Sequence, residues 1–197
     1  MSFESSGRPE RRIRITDPRA LRALAHPLRL ALLDWLMSFG EQTAAQCATE
    51  VGSTASNCSY HLRILARVGL VEPGTSADGR ERPWRATATG LAFGPEDPAQ
   101  SPASASAARA VDELSLAREE ELTRRALAQR DSLPEPWRAA DAHNSYGLRV
   151  SAAELARLVD EIDRLVRPYI AMTRADAPPD AEVATLRLLA FRHPEAP

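Results

Sequence analysis

Residues 43 to 70, TAAQCATEVGSTASNCSYHLRILARVGL, constrain the fold of this chain more than any other stretch. Thr43 followed three residues later by Gln46 is a capping-box pair, in which each side chain satisfies an orphan backbone donor of the first helical turn. Gly52 suits the left-handed residue that closes such a helix. Thr54 can cap a second helix, and Gly69 stops it. Two short helices joined by a tight turn containing Gly make a helix-turn-helix, whose second helix fits the DNA major groove.

At about 100° per residue, Cys58, Leu62 and Leu65 share one face of that second helix, flanked by His61 and Val68. This stripe is expected to be buried. Ser56, Ser59, Tyr60, Arg63 and Arg67 point the other way, and Asn57 lies near the edge. Arg pairs bidentately with guanine and Asn with adenine, while Ser and Tyr hydrogen-bond bases or backbone. A plain solvated face uses the same residue types, so this helix alone leaves both readings open. The next segment decides between them. Asp78-Gly79 is a hairpin turn signal, flanked by Leu70-Val71 and by Trp84 to Thr87 as two short strands. Arg80, Arg82 and Arg85 lie on or just beyond its tip. A basic hairpin directly after a helix-turn-helix is a wing, whose arginines enter the minor groove or hold phosphate. Together these signals favour a winged helix that binds duplex DNA.

Upstream, Asp17-Pro18 is an N-cap followed by Pro at the first helical position. Leu21, Leu24 and Ala25 form an apolar stripe up to His26-Pro27, where the helix must break or restart. A further helix, Pro27 to about Phe39, buries Leu30, Leu33, Leu36 and Met37 before Gly40. DPRALRALAHPLRLALLDWL, SYHLRILARVGLV and the wing RERPWRATATG together resemble the arsenic-repressor (ArsR-type) winged-helix regulators, over about residues 15 to 94. The combination of His26, Pro27 and Arg29 with Ser59, His61 and Leu62 carries the resemblance. It implies a dimeric bacterial transcription factor on a pseudo-palindromic operator, often a repressor released by a ligand. The metal-sensing members carry Cys-x-Cys on the first helix of the helix-turn-helix. Those positions are Thr43 and Ala45 here, and Cys47 stands where those members have an apolar residue. The histidines His26, His61, His143 and His193 are scattered, without the convergent spacing a metal site needs. We therefore expect no metal and no cofactor.

Cys47 and Cys58 fall on expected buried faces, where free cysteine acts as a small hydrophobe. Two cysteines without a signal peptide fit a reducing cytoplasm. His26 reads as a capping or core residue, and His61 as an anchor of the second helix. The longest apolar runs fall short of the roughly 18 to 20 residues needed to span a membrane. All 25 basic side chains are Arg, the better phosphate and base reader. The net charge of −2 hides an asymmetry: 12 Arg face 9 acids through residue 95, and 13 face 18 from residue 96 on. So modest a positive balance makes tight DNA binding depend on two copies, because phosphate neutralisation sets much of the affinity. Arg8, Arg11, Arg12 and Arg14 form a short basic arm that either reaches a groove or is a solvated tail.

Four segments follow: a flexible arm over 1–14, a winged helix-turn-helix over 15–93, a Pro/Ser/Ala-rich linker over 94–107, and a C-terminal domain over 108–197. The last opens with an amphipathic helix, about Ala108 to Arg130, which together with the first helix is the expected dimer contact. Tyr146 to Val150 reads as a strand. Ser151 and Glu154 form a capping box, with Val150 and Leu155 as a hydrophobic staple. The helix they start carries Leu155, Leu158, Val159, Ile162, Leu165 and Val166 on one face. Val183 to Phe191 reads as a second strand. A strand–helix–strand order suggests an α+β module, which more loosely resembles the extended C-terminal domains of some actinobacterial ArsR-like regulators. The fold class is thus mainly α with small β. Trp137, His143, Tyr146 and Tyr169 are candidates for lining a small-molecule effector pocket, against the simpler reading of core or interface aromatics. A catalytic constellation is missing from the sequence, which argues against an enzyme. The expected function is a homodimeric, cytoplasmic DNA-binding regulator, a repressor by family resemblance. The rivals are a protein-interaction module whose winged helix no longer serves DNA, and a ligand sensor with another output.

Overall fold

Arg12–Ile15 forms strand β1 at the start of the described chain; the computed structural model describes residues 12–75, 82–94 and 101–195. Helix α1 runs Pro18–Leu24, and the Asp17 carboxylate accepts the Arg19 N–H at 2.8 Å. The chain then breaks at His26 and restarts as α2, Pro27–Phe39. His26 itself is the cap, its Nδ1 accepting the Leu28 N–H at 3.2 Å. Helix α3, Ala44–Val51, opens on the capping box: the Thr43 N–H donates to Gln46 Oε1 at 2.7 Å, and the Gln46 N–H to Thr43 Oγ1 at 3.2 Å. Gly52 closes α3 in the left-handed conformation, at φ 64° and ψ 44°, which a side chain would strain. Helix α4, Ala55–Arg67, is capped by Thr54, whose hydroxyl accepts the Asn57 N–H at 3.2 Å.

Strands β2, Val71–Pro73, and β3, Trp84–Ala86, pair antiparallel with Glu72 opposite Arg85. These are the two arms of the expected hairpin; its Asp78-Gly79 tip lies outside the described residues. Gln42, just before α3, extends this sheet by exchanging backbone bonds of 3.0 and 2.7 Å with Trp84. Strand β4, Gly90–Phe93, runs parallel to β1 with Ile13 opposite Leu91. This corrects the reading of residues 1–14 as a flexible arm: Arg12 and Arg14 belong to a paired strand. Its Arg-Ile-Arg-Ile alternation is the period of a strand with one face covered, and Ile15 is buried. Arg8 and Arg11 lie outside the described residues.

Helix α5, Pro102–Gln129, overlaps the stretch expected to be a linker. Ser104, Ala105, Ala107, Ala108 and Val111 are buried, and α5 lies along α1. The Ser104 hydroxyl donates to the Thr16 carbonyl at 2.7 Å and accepts the Ser101 hydroxyl at 2.8 Å. The Ser/Ala composition that reads as a linker is the small-residue face of a closely packed helix. Further along, Arg118 of α5 meets Asp34 of α2 at 2.7 Å. Burial pushes the Asp34 carboxyl up despite that guanidinium. One core therefore joins β1, α1–α5 and the β2–β3 hairpin, with Leu21, Leu24, Leu32, Leu36, Leu62 and Leu65 at its centre.

The remaining chain is sparse in structure. A 3-10 turn, Arg130–Ser132, leads to α6, Glu135–Ala140, and later to α7, Ala152–Val166, with a second 3-10 turn at Arg167–Tyr169. The Ser151–Glu154 capping box forms as expected: the Ser151 N–H donates to Glu154 Oε2 at 2.7 Å. The two flanking strands do not. Residues 146–150 and 183–191 run without helix, strand, turn or bend. Hence the C-terminal α+β module is absent as such among the described residues, and α6 and α7 contain no buried residue. A strand needs a neighbour for its backbone groups, and the backbone of the described residues pairs with neither of these two segments. Among the described residues, no helix is long and apolar enough to cross a membrane.

Candidate nucleic-acid interface

The two faces of α4 separate as its sequence periodicity requires. Cys58, Leu62 and Leu65 are fully buried and His61 nearly so. Ser56, Asn57, Tyr60, Arg63 and Arg67 are exposed, and Ser59 is half-buried. Tyr60 keeps 58% of its surface in solvent, too much for a phenol retained for packing. The Asn57 amide donates to the Ser53 hydroxyl at 3.0 Å, which holds it at the start of the helix. Exposed hydroxyl, amide, phenol and guanidinium groups on one helix face are the donor and acceptor set that reads base edges and phosphates.

In the hairpin, Arg82 is exposed, whereas Arg80 lies outside the described residues. Arg85 is not a phosphate hand of this kind. Its Nε bonds Glu72 Oε1 at 2.7 Å, and its guanidinium lies 3.7 Å from Glu41. Arg85 therefore ties the hairpin to the loop before α3, at a half-buried position. Sequence reading placed it with the wing arginines. The signal that identifies its role is the register, which sets Glu72 directly opposite.

This segment of sequence matches a family described as a helix-turn-helix domain. The matched stretch is residues 24–73. The match runs from the end of α1 to the end of β2, so it contains all of the exposed α4 face. The chain is also similar to the solution structure of the homodimeric winged helix-turn-helix DNA-binding domain, fragment 1–100, of Mb0332 from Mycobacterium bovis, described as a possible ArsR-family transcriptional regulator. Identity is 26%, the shared region covers 53% of this chain and 79% of that one, and the TM-score is 0.34. No curated protein matches.

Behind the exposed face of the helix-turn-helix domain sits a cluster the sequence showed only as separate residues. The His26 and His61 rings lie 4.6 Å apart, and Tyr60 meets His61 edge-on at 5.1 Å. The Arg29 Nε donates to the Ala23 carbonyl nearby. Burial, with the neighbouring Arg29, holds both imidazoles below their ordinary range, and His26 also lowers His61. His61 Nδ1 is buried without a hydrogen-bond partner. The neutral rings therefore stabilise the fold above their ordinary value of about 6.5, and that contribution is lost as pH falls through 6.5 toward the lower folded values. The melting temperature is expected to drop between pH 7.5 and 5.5, and His61→Phe should flatten the drop. Parallel melting curves for the wild type and His61→Phe would count against this coupling.

Cys47 and Cys58 are both free and fully buried. Burial pushes the Cys47 thiol up to about 11 and raises that of Cys58 as well. Both stay protonated at neutral pH, the state of a packing residue and not of a reactive thiol. Among the described residues no group of three or more His, Cys, Asp or Glu converges as a metal site.

The four effector-pocket candidates line neither of two open hollows in the structure. Trp137 is half-buried on α6, His143 and Tyr146 are exposed between α6 and α7, and Tyr169 is 66% exposed beneath the Arg174 guanidinium. Both hollows have other walls. The larger, about 360 Å³, lies between Phe39, Glu41 and Arg85 on one side and Met172 and Val183 on the other.

Proposed function

We propose that this chain is a sequence-specific regulator of transcription that binds duplex DNA as a homodimer on a pseudo-palindromic operator, acting as a repressor in a bacterial cytoplasm without catalysis. The observation that carries this is the exposed face of α4, where Ser56, Asn57, Ser59, Tyr60, Arg63 and Arg67 stand opposite the buried Cys58, Leu62 and Leu65. A winged helix diverted to protein contacts would be expected to show acids or large apolar groups there. Tyr60 is the only large apolar side chain this face leaves exposed, and it ends in a hydroxyl. Arg82 serves the wing, with Arg80 assigned to the same role from sequence. The acidic C-terminal part, with 13 Arg against 18 acids, would be repelled by DNA, and the modest positive balance of the N-terminal part is doubled by dimerisation.

Retention of genomic fragments at near-physiological salt, followed by sequencing, tests the proposal. The expected result is a shared palindrome with half-sites about one helical turn apart. Weak, sequence-blind retention would refute it. Arg63→Ala is expected to lower operator affinity by about 1 to 3 kcal/mol and to relax specificity at one base position. Arg67→Ala and Arg82→Ala should weaken all sequences alike and reduce the salt slope by about 1 each. Salt-titrated fluorescence anisotropy separates the two patterns; identical behaviour of all three variants would remove Arg63 from the reading face.

A further inference from the structure

Residues 133 to 191 hold twelve of the sixteen large apolar side chains that the described chain leaves exposed. Tyr146 is 77% exposed, Leu165 72%, Leu186 70% and Phe191 69%. Summed over these side chains, the exposed apolar surface is on the order of 1,000 Å², about what one partner of a stable interface covers. Among the described residues, the rest of the chain leaves these side chains exposed. The main neighbour of α7 is the short turn that follows it. Met172 packs on the core beside Phe39, and Arg187 pairs with Glu119 of α5, so the segment after α7 is fastened to the N-terminal body. On the apolar face of α7, Leu155, Val159, Ile162 and Val166 are half-buried and Leu158 and Leu165 are exposed, so that face is only partly covered.

We propose that residues 141–193 are completed by the same residues of a second copy of this chain, the two α7 helices and four unpaired segments closing one apolar core about a two-fold axis. The strand count selects a second copy. A single chain supplies one amphipathic helix and two segments of strand-forming sequence, 146–150 and 183–191, and two strands are marginal alone. Two copies supply four strands and two helices, enough for a sheet with one covered face. Each copy thus holds both halves of what the other lacks, as a self-complementary two-fold contact requires. Residues 141–193 carry 7 Arg against 8 acids, so the segment is close to neutral and like charge does little to oppose a second copy. This deepens the homodimer reading above by placing its contact in the C-terminal segment.

Sedimentation velocity on the full chain, with amide hydrogen exchange on the same samples, tests the proposal. The wild type should be a dimer whose amides at 146–150 and 183–191 are protected and lose protection on dilution. Leu165→Glu and Leu189→Glu replace side chains already exposed in one protomer, so both should keep the wild-type far-ultraviolet spectrum. Each should weaken the dimer Kd by at least about tenfold. A monomeric wild type, wild-type dimerisation by both variants, or exchange at these amides that ignores concentration would each overturn the proposal. Sequence-blind DNA retention alongside concentration-dependent protection would sink the operator reading alone and leave this interface standing.

Discussion

Replacing Leu62 with alanine is expected to destabilise the helix-turn-helix domain by about 3 kcal/mol, within the usual range for a buried leucine truncated in a core that relaxes only partly. Leu62 is fully buried on the inner face of α4, in the cluster that also holds Leu21, Leu24 and Leu36. Domains of this size keep only about 5 to 15 kcal/mol in hand, so the loss moves the urea midpoint far. Trp35 and Trp84, both packed against the same cluster, report the transition by fluorescence. Arg63→Ala, one residue further along but pointing outward, should shift the midpoint by no more than about 0.5 kcal/mol while costing operator affinity. An unchanged midpoint for Leu62→Ala would mean that α4 is not seated on this core, and the assignment of its outer face would fall with it.

That contrast was legible in the sequence because α4 is amphipathic with clean ends. Thr54 and Gly69 fix where the helix starts and stops, and the 3.6-residue period then assigns every side chain to a face. The capping box at Thr43 and the His26 break were equally local, decided by side chains reaching their own backbone within three residues. Pairings distant in sequence were harder. β1 and β4 are about 80 residues apart in the chain and align in parallel. Neither has a turn signal that points to the other. The Arg85 clamp on Glu72 and Glu41 was hidden for a related reason: composition shows a basic wing, and only the register shows which guanidinium is already bound.

The C-terminal part shows the opposite failure. Ser and Ala at 101–107 read as linker because the segment lacks large apolar groups, yet that lack is what lets α5 approach α1 closely. The strand patterns at 146–150 and 183–191 are present in the sequence, but pattern alone does not supply a neighbouring strand. Ser151 and Glu154, which need nothing beyond one helical turn, form their cap as read. Local chemistry carried through, as did the β2–β3 hairpin and the buried stripe of α4; the β1–β4 pairing and the packing of α5 on α1, which join segments far apart in the chain, were not read.

Val111→Asp on α5 is the variant that separates a linker-joined helix from one built into the core. Val111 is fully buried in the cluster shared with Leu21 and Leu24 of α1. A carboxylate there has no partner and leaves water, so the expected loss is at least about 3 kcal/mol. The hydroxyl bond from Ser104 to Thr16 lies two turns before Val111 on the same helix. Peeling α5 away would therefore also expose the β1–α1 junction. Scanning calorimetry should show one cooperative transition at a much lower temperature, and amide exchange of α1 should rise with that of α5. Ala117→Asp, at an exposed position of the same helix, should cost no more than about 1 kcal/mol, close to the propensity difference alone. Were α5 only tethered behind a linker, Val111→Asp would leave the melting of α1–α4 unchanged, and the helix-turn-helix would fold without it.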